Sequence, residues 1–161
     1  MKRRIAILAA GVVAIGSATA LAVAPGETPF PSATIESVFV TTQTVTGPAS
    51  PLGANVLSSS YPRGAVVVFK VFAADAKSGK VLTAEDARYA FVKIPGQPNL
   101  KLTYTAPAKK GDPNFTGTWT IPATYPTGLV PFTTRFQTTG KQYGNFVQIP
   151  VATSQLTVTA S

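Results

Sequence analysis

Between Phe115 and Ile121 the side chains alternate by type. Phe115, Trp119 and Ile121 share one parity, and Thr116, Thr118 and Thr120 share the other. A period of two belongs to an extended strand with one buried face and one wet face. After the first two dozen residues no stretch shows the 3.6-residue period of an amphipathic helix. A parallel sheet needs crossover helices between its strands, so the chain is confined to an antiparallel all-β fold.

The rest of the body repeats this character in short pieces. Ala33 to Val45 is rich in Val and Thr. Ala65 to Phe72 is nearly continuous and apolar, as a central sandwich strand would be. Arg88 to Ile94, Leu100 to Tyr104, Phe115 to Ile121, Val130 to Phe136, Phe146 to Ile149 and Gln155 to Thr159 follow. Asp75 to Lys80, Pro95 to Pro98 and Lys109 to Pro113 punctuate them as turns. Thr83 to Asp86 reads as a single helical turn capped by Thr83. The expectation is a sandwich or barrel of seven to eight strands. Its core would be Val67, Phe69, Phe91, Leu102, Trp119, Phe132 and Phe136.

The start of the chain is different. Lys2-Arg3-Arg4 precedes twenty uncharged residues, Ile5 to Ala24. A basic cluster, an apolar stretch and a small-residue exit are the parts of a secretory signal. Ala18-Thr19-Ala20 fits the cleavage pattern, whereas the later Ala22-Val23-Ala24 is followed by Pro25, which hinders cleavage. Residues 1–20 are therefore read as a signal peptide. The rival reading is an uncleaved anchor helix to about residue 24, a weak span because so much of it is Ala and Gly. Either way the body is extracytoplasmic, secreted or associated with the cell envelope, and any membrane contact runs through the N-terminal segment. Residues 21–32, with Pro25, Pro29 and Pro31, form a stiff linker. Residues 33–161 form the one domain.

Two stretches resemble a known family. Val66-Val67-Val68-Phe69-Lys70-Val71 leads to Asp75, Ser78-Gly79-Lys80-Val81-Leu82, Asp86-Ala87 and Ala90-Phe91-Val92. Trp119-Thr120-Ile121-Pro122 leads to Tyr125-Pro126-Thr127-Gly128, Phe132, Arg135-Phe136, Gly140 and Gly144. Together they are similar to bacterial immunoglobulin-like (fibronectin-III-like) exported domains, with an acidic-x-x-Gly-Lys turn and a Tyr-Pro-x-Gly corner. The resemblance implies an antiparallel immunoglobulin-like β-sandwich used for binding, spacing or assembly. The cysteine pair of antibody domains is missing.

The residue inventory removes many chemistries. There is no His and no Cys, and Met1 is the single Met. Disulfides and the usual nucleophile–base pairs lack their parts, as do thiolate or imidazole metal sites. No cofactor is expected, and no nucleic-acid motif occurs. The six carboxylates are Glu27, Glu36, Asp75, Glu85, Asp86 and Asp112. Each falls in a linker, a strand or a turn with an ordinary structural role. Glu85-Asp86 is the one place to look for calcium.

The formal charge is +8, partly from Lys2, Arg3 and Arg4, and the body stays basic without them. That charge serves solubility or suits an anionic surface. Tyr61, Tyr143 and Phe146 stand nearer turns than the other aromatics; either they are exposed at the surface, or Tyr61-Pro62 and Tyr143-Gly144 simply shape turns. The candidate partner-binding residues are Tyr61, Arg63, Lys141, Tyr143 and Asn145, on one surface built from the 46–62 loop and the Gly140–Asn145 hairpin. The loop is read either as a long functional loop or as hiding a short edge strand around Asn55 to Leu57. The expected function is a non-catalytic exported module that binds or spaces an envelope protein or an anionic wall polymer. A self-assembling surface subunit, pairing through Thr41 to Thr46, is one alternative. A carboxylate-dependent glycan-active enzyme is another.

Overall fold

The computed structural model describes residues 35–106, 113–148 and 155–161. The signal or anchor segment and the linker lie outside the described residues, as do Asp112 and most of the Lys109–Pro113 turn. Among the described residues there is no α-helix, and eleven strands occur.

The first four-stranded sheet runs in the order β1 (Val38–Thr46), β3 (Val66–Asp75), β7 (Asn114–Thr120), β6 (Thr103–Thr105). The second runs β10 (Tyr143–Val147), β9 (Thr133–Thr138), β4 (Ala87–Lys93), β5 (Leu100–Lys101). Every pairing in both is antiparallel. A small third sheet joins β2 (Ser60–Pro62), β11 (Thr157–Thr159) and β8 (Gly128–Leu129). Its β2–β11 pairing is parallel.

The two larger sheets face each other across one core, giving a sandwich-like arrangement. Val67, Phe69 and Val71 of β3 and Phe115 and Trp119 of β7 meet Ala90 and Val92 of β4 and Phe136 of β9. Phe132, just before β9, lies edge-on to Phe69 at 5.1 Å, and Phe115 lies edge-on to Phe136 at 5.0 Å. Burying each such side chain contributes about 1.5–3 kcal/mol. At one sheet edge β10 approaches β1 so closely that only glycine fits. A Cβ on Gly144 would lie 2.5 Å from Val40 Cγ2 and 2.6 Å from Val38 Cγ1.

Four details depart from the sequence reading. Leu100 to Tyr104 is two strands in two different sheets. The chain switches layers at Leu102, whose N–H donates to the Ala90 carbonyl at 2.9 Å while its side chain enters the core. This switch and the three short strands of the third sheet raise the count above seven or eight. Phe91 is only half-buried, because the inner face of β4 is Ala90 and Val92. A register shift between Ala87 and Tyr89 sets that phase. The Thr83–Asp86 segment is a hydrogen-bonded turn, not a helical one. The Asp86 carboxylate accepts from the Thr83 N–H at 3.0 Å, so the cap runs from acid to threonine. Tyr61 is buried, with 2 % of its surface exposed, against the surface position that a partner-binding residue needs.

Candidate functional site

The sandwich has two distinct ends. At the Asp75 end lie the β3–β4 turn and the β9–β10 hairpin, joined where the Thr139 N–H donates to the Asp86 carbonyl. At the Thr46 end lies the 47–59 loop. The two are separated by the nine residues of β1, roughly 26 Å of strand. The five sequence-derived site residues therefore divide. Tyr61 and Arg63 sit at the Thr46 end, while Lys141, Tyr143 and Asn145 sit at or near the Asp75 end. The structure does not bring the 46–62 loop and the Gly140–Asn145 hairpin to one surface.

The residues at the Thr46 end are engaged in structure. The Tyr61 hydroxyl donates to the Ser58 carbonyl at 3.0 Å, and burial pushes its phenol pKa up. Arg63 Nε donates to the Tyr125 carbonyl at 2.7 Å. The loop is laid along the edge of β1. Thr46 N–H donates to the Val56 carbonyl, Asn55 N–H to the Thr46 carbonyl and Ser58 N–H to the Thr44 carbonyl. A bridge between Val45 and Leu57 completes this edge pairing, so the Asn55–Leu57 segment behaves as an irregular edge strand. A cleft of about 270 Å³ lies beneath the loop, lined by groups such as Leu52, Tyr61, Pro62 and Val66 and, among the described residues, by no charged side chain.

Tyr143 and Asn145 belong to a larger array that the sequence did not reveal, and Lys141 lies in the hairpin beside it. On the outer face of the second sheet, cross-strand register places Lys101, Phe91, Arg135 and Asn145 in one row over all four strands. The neighbouring row is Tyr89, Gln137 and Tyr143. On the other side of the Phe91 row stand Lys93, Thr133 and Val147. Partners directly opposite in such rows stand about 5 Å apart, so side chains touch along and between rows.

Aromatic rings and cations interleave on this face. The Tyr89 and Phe91 rings lie 5.6 Å apart. Tyr143 is 62 % exposed, and it and Tyr89 stand on either side of Gln137, which is buried. Partial desolvation, then Tyr143, push the Tyr89 phenol pKa up, against the opposing pull of Arg135 and Arg88. Lys141 holds the adjoining hairpin with a left-handed backbone (φ 71°). None of the outward positions of β4, β5, β9 and β10 is a carboxylate.

The carboxylates among the described residues are occupied or isolated. Asp75 accepts from the Ser78 hydroxyl and N–H and from the N–H groups of Glu36 and Ser37. Asp86 accepts from Lys80 Nζ at 2.7 Å as well as from Thr83. Glu36 pairs with Lys77, and Glu85 is exposed. No group of three or more metal-ligating side chains occurs among the described residues.

The opposite outer face contrasts with the array. There Lys70 stands among Gln43, Thr116 and Val68. Aromatic faces can stack on planar or ring-shaped groups, and Arg and Lys pair with carboxylate or phosphate. The sheet face thus has the parts to hold an anionic chain.

No known family's sequence profile matches this chain, and no curated protein is similar to it. The functional reading therefore rests on the geometry of the site.

Proposed function

We propose that this protein is an exported, non-catalytic immunoglobulin-like module that holds an anionic polymer of the cell envelope on the outer face of its second sheet. The observation that carries the reading is the row Lys101–Phe91–Arg135–Asn145, flanked by Tyr89 and Tyr143, on a face without a carboxylate. The N-terminal sequence supports export, since a basic cluster and an apolar run precede the domain.

Strand order supports the immunoglobulin-like part. With β1, β3, β4, β5, β6, β7, β9 and β10 lettered A, B, C, C′, D, E, F and G, the sheets read A-B-E-D and G-F-C-C′. The Tyr125 hydroxyl does bond back to the backbone, but to the distant Pro95 carbonyl rather than within its own corner. Trp119 lies on β7, not on β4 where antibody domains carry theirs.

Strand addition by a neighbouring copy finds less support. The outward groups of Thr44 and Thr46 are already bonded by residues 55–58.

The test is co-sedimentation of the purified protein with envelopes of its host, comparing Arg135→Ala with Lys70→Ala. Both remove one positive charge, from opposite faces. The proposal expects Arg135→Ala to release the protein and Lys70→Ala to leave it bound. Equal loss in both variants would mean general electrostatic adhesion, which salt weakens without regard to position. That outcome, or the absence of pelleting, overturns the proposal.

A further inference from the structure

The array leads sideways into a second cleft. Between β4–β5 of one sheet and β6 of the other, where the chain changes layers at Leu102, lies a cleft of about 320 Å³. Arg88 and Lys101 supply its cations, and Tyr89, Tyr104 and the buried Phe115 supply its rings. Tyr89 and Lys101 belong to the outer face as well, so face and cleft are continuous. Among the described residues no carboxylate lines the cleft; Glu85 and Asp86 lie in the turn before β4, and Asp86 is held by Lys80.

Ring and charge alternate from Tyr143 to Lys101, and Arg88 adds a second cation at the cleft. From β10 towards the cleft come Tyr143, Arg135, Phe91 and Lys101, followed by Arg88 at the cleft. Arg135 and Lys101 flank Phe91, two strand spacings or roughly 10 Å apart. A ligand that used only the cations would gain nothing from the rings between them. One that used only the rings would leave the cations with no partner. A chain of rings bearing acids satisfies both, running across the strands.

We infer that the ligand is an acidic saccharide chain that crosses the strands from Tyr143 to Lys101, stacks a sugar ring on Phe91 and places an acid group in the cleft beside Arg88. This deepens the polymer-binding proposal and rests on it. The acid is a carboxylate or a phosphate on a sugar, and the ring requirement sets it apart from a bare polyanion.

Three soluble probes test it by titration against the purified protein: polygalacturonate, its fully methyl-esterified form, and polyphosphate. The first has rings and acids, the second rings alone, the third charge alone. Polygalacturonate is expected to bind tightest. Phe91→Ala is expected to weaken it about tenfold, as loss of one stacking platform does, and to leave polyphosphate unchanged. Phe91→Tyr keeps a ring and should restore binding, which separates the platform from any folding defect. Arg88→Ala should weaken polygalacturonate and not the ester.

Polyphosphate binding as tightly as polygalacturonate, with Phe91→Ala changing neither, overturns the saccharide inference. Equal binding of the ester overturns the placement of an acid beside Arg88. If no probe binds while envelopes still pellet the protein through Arg135, the inference fails and the broader proposal stands. If the Arg135 and Lys70 variants pellet alike, the broader proposal itself fails.

Discussion

The hydroxyls of Thr42 on β1 and Thr134 on β9 meet 2.7 Å apart inside the sandwich, joining its two sheets across 92 positions of sequence. Both residues are buried, so each hydroxyl satisfies the other where water does not reach. Replacing one alone leaves a buried hydroxyl unpaired, at a cost of about 1–3 kcal/mol, whereas replacing both by a group of the same shape removes the problem. Thr42→Val and Thr134→Val should each lower the denaturation midpoint, and the double variant should recover most of the loss. A double variant whose loss equals the sum of the two singles would show that the hydroxyls are not coupled.

Asp75 makes stability depend on acid pH. The Ser78 hydroxyl and the Ser37 N–H, then the N–H groups of Ser78 and Glu36, outweigh burial and hold its carboxyl well below the usual range. In the unfolded chain the group titrates near its ordinary value of about 3.9. As pH falls through that value the unfolded state takes up the proton first, so stability present above about pH 4 is lost progressively below it. Asp86 acts with the same sign: partial burial raises its pKa, but Lys80 and Thr83 together lower it further. Chemical denaturation should give a flat midpoint from pH 7 to pH 5 and a decline towards pH 2. Asp75→Asn should be less stable at pH 7 and show a shallower decline, because its side chain no longer titrates.

The Tyr125 hydroxyl donates to the Pro95 carbonyl at 2.9 Å, tying the turn after β4 to the corner after β7. The ring also lies edge-on to Trp119, at 5.0 Å. Tyr125→Phe keeps that contact and loses only the hydrogen bond, a cost of about 1 kcal/mol. A melting temperature lower by a few degrees is expected. Trp119→Ala should cost about 3–5 kcal/mol, since it empties a large core volume. Similar losses for the two variants would place Trp119 outside the core.

Gly144 lets β10 close on β1. An added methyl would meet the side chains of Val38 and Val40, both on the core side of β1. Overpacking of this kind costs about 1–3 kcal/mol. Gly144→Ala should therefore destabilise the protein, and Val38→Ala in the same chain should recover part of the loss. Thermal melts of the three variants check this, with simple additivity as the opposing result.

What could be read from sequence follows from where the information lies. The alternation through Phe115, Trp119 and Ile121 is local, and it marked the inner face of β7 correctly. The turn at Asp75 and Gly79 is also local. Strand order is not local: Lys101, Phe91, Arg135 and Tyr143 come from four separate strands, and pairing alone puts them on one face. Tyr143 and Asn145, beside a tight hairpin, carried a signal of exposure. Tyr61 misled because Tyr-Pro favours a turn, yet β2 packs inward between β11 and the 47–59 loop. The layer switch at Leu102 has no signature in a run that reads as a single strand.

Ala90-Phe91-Val92 is where size and phase compete, and it yields the last prediction. Side-chain size alone assigns Phe91 to the core and Ala90 to the surface. The register shift between Ala87 and Tyr89 reverses this, turning Ala90 and Val92 inward and leaving Phe91 beside Tyr89 on the outer face. Val92 is fully buried. Val92→Ala should therefore cost on the order of 2 kcal/mol through the cavity it leaves. Phe91→Ala, which removes a much larger side chain, should cost less than about 1 kcal/mol, because its partners lie on a partly solvated face. Denaturation curves of the two variants decide the phase of β4. A larger loss for Phe91→Ala would put Phe91 in the core and remove the central ring from the proposed binding face.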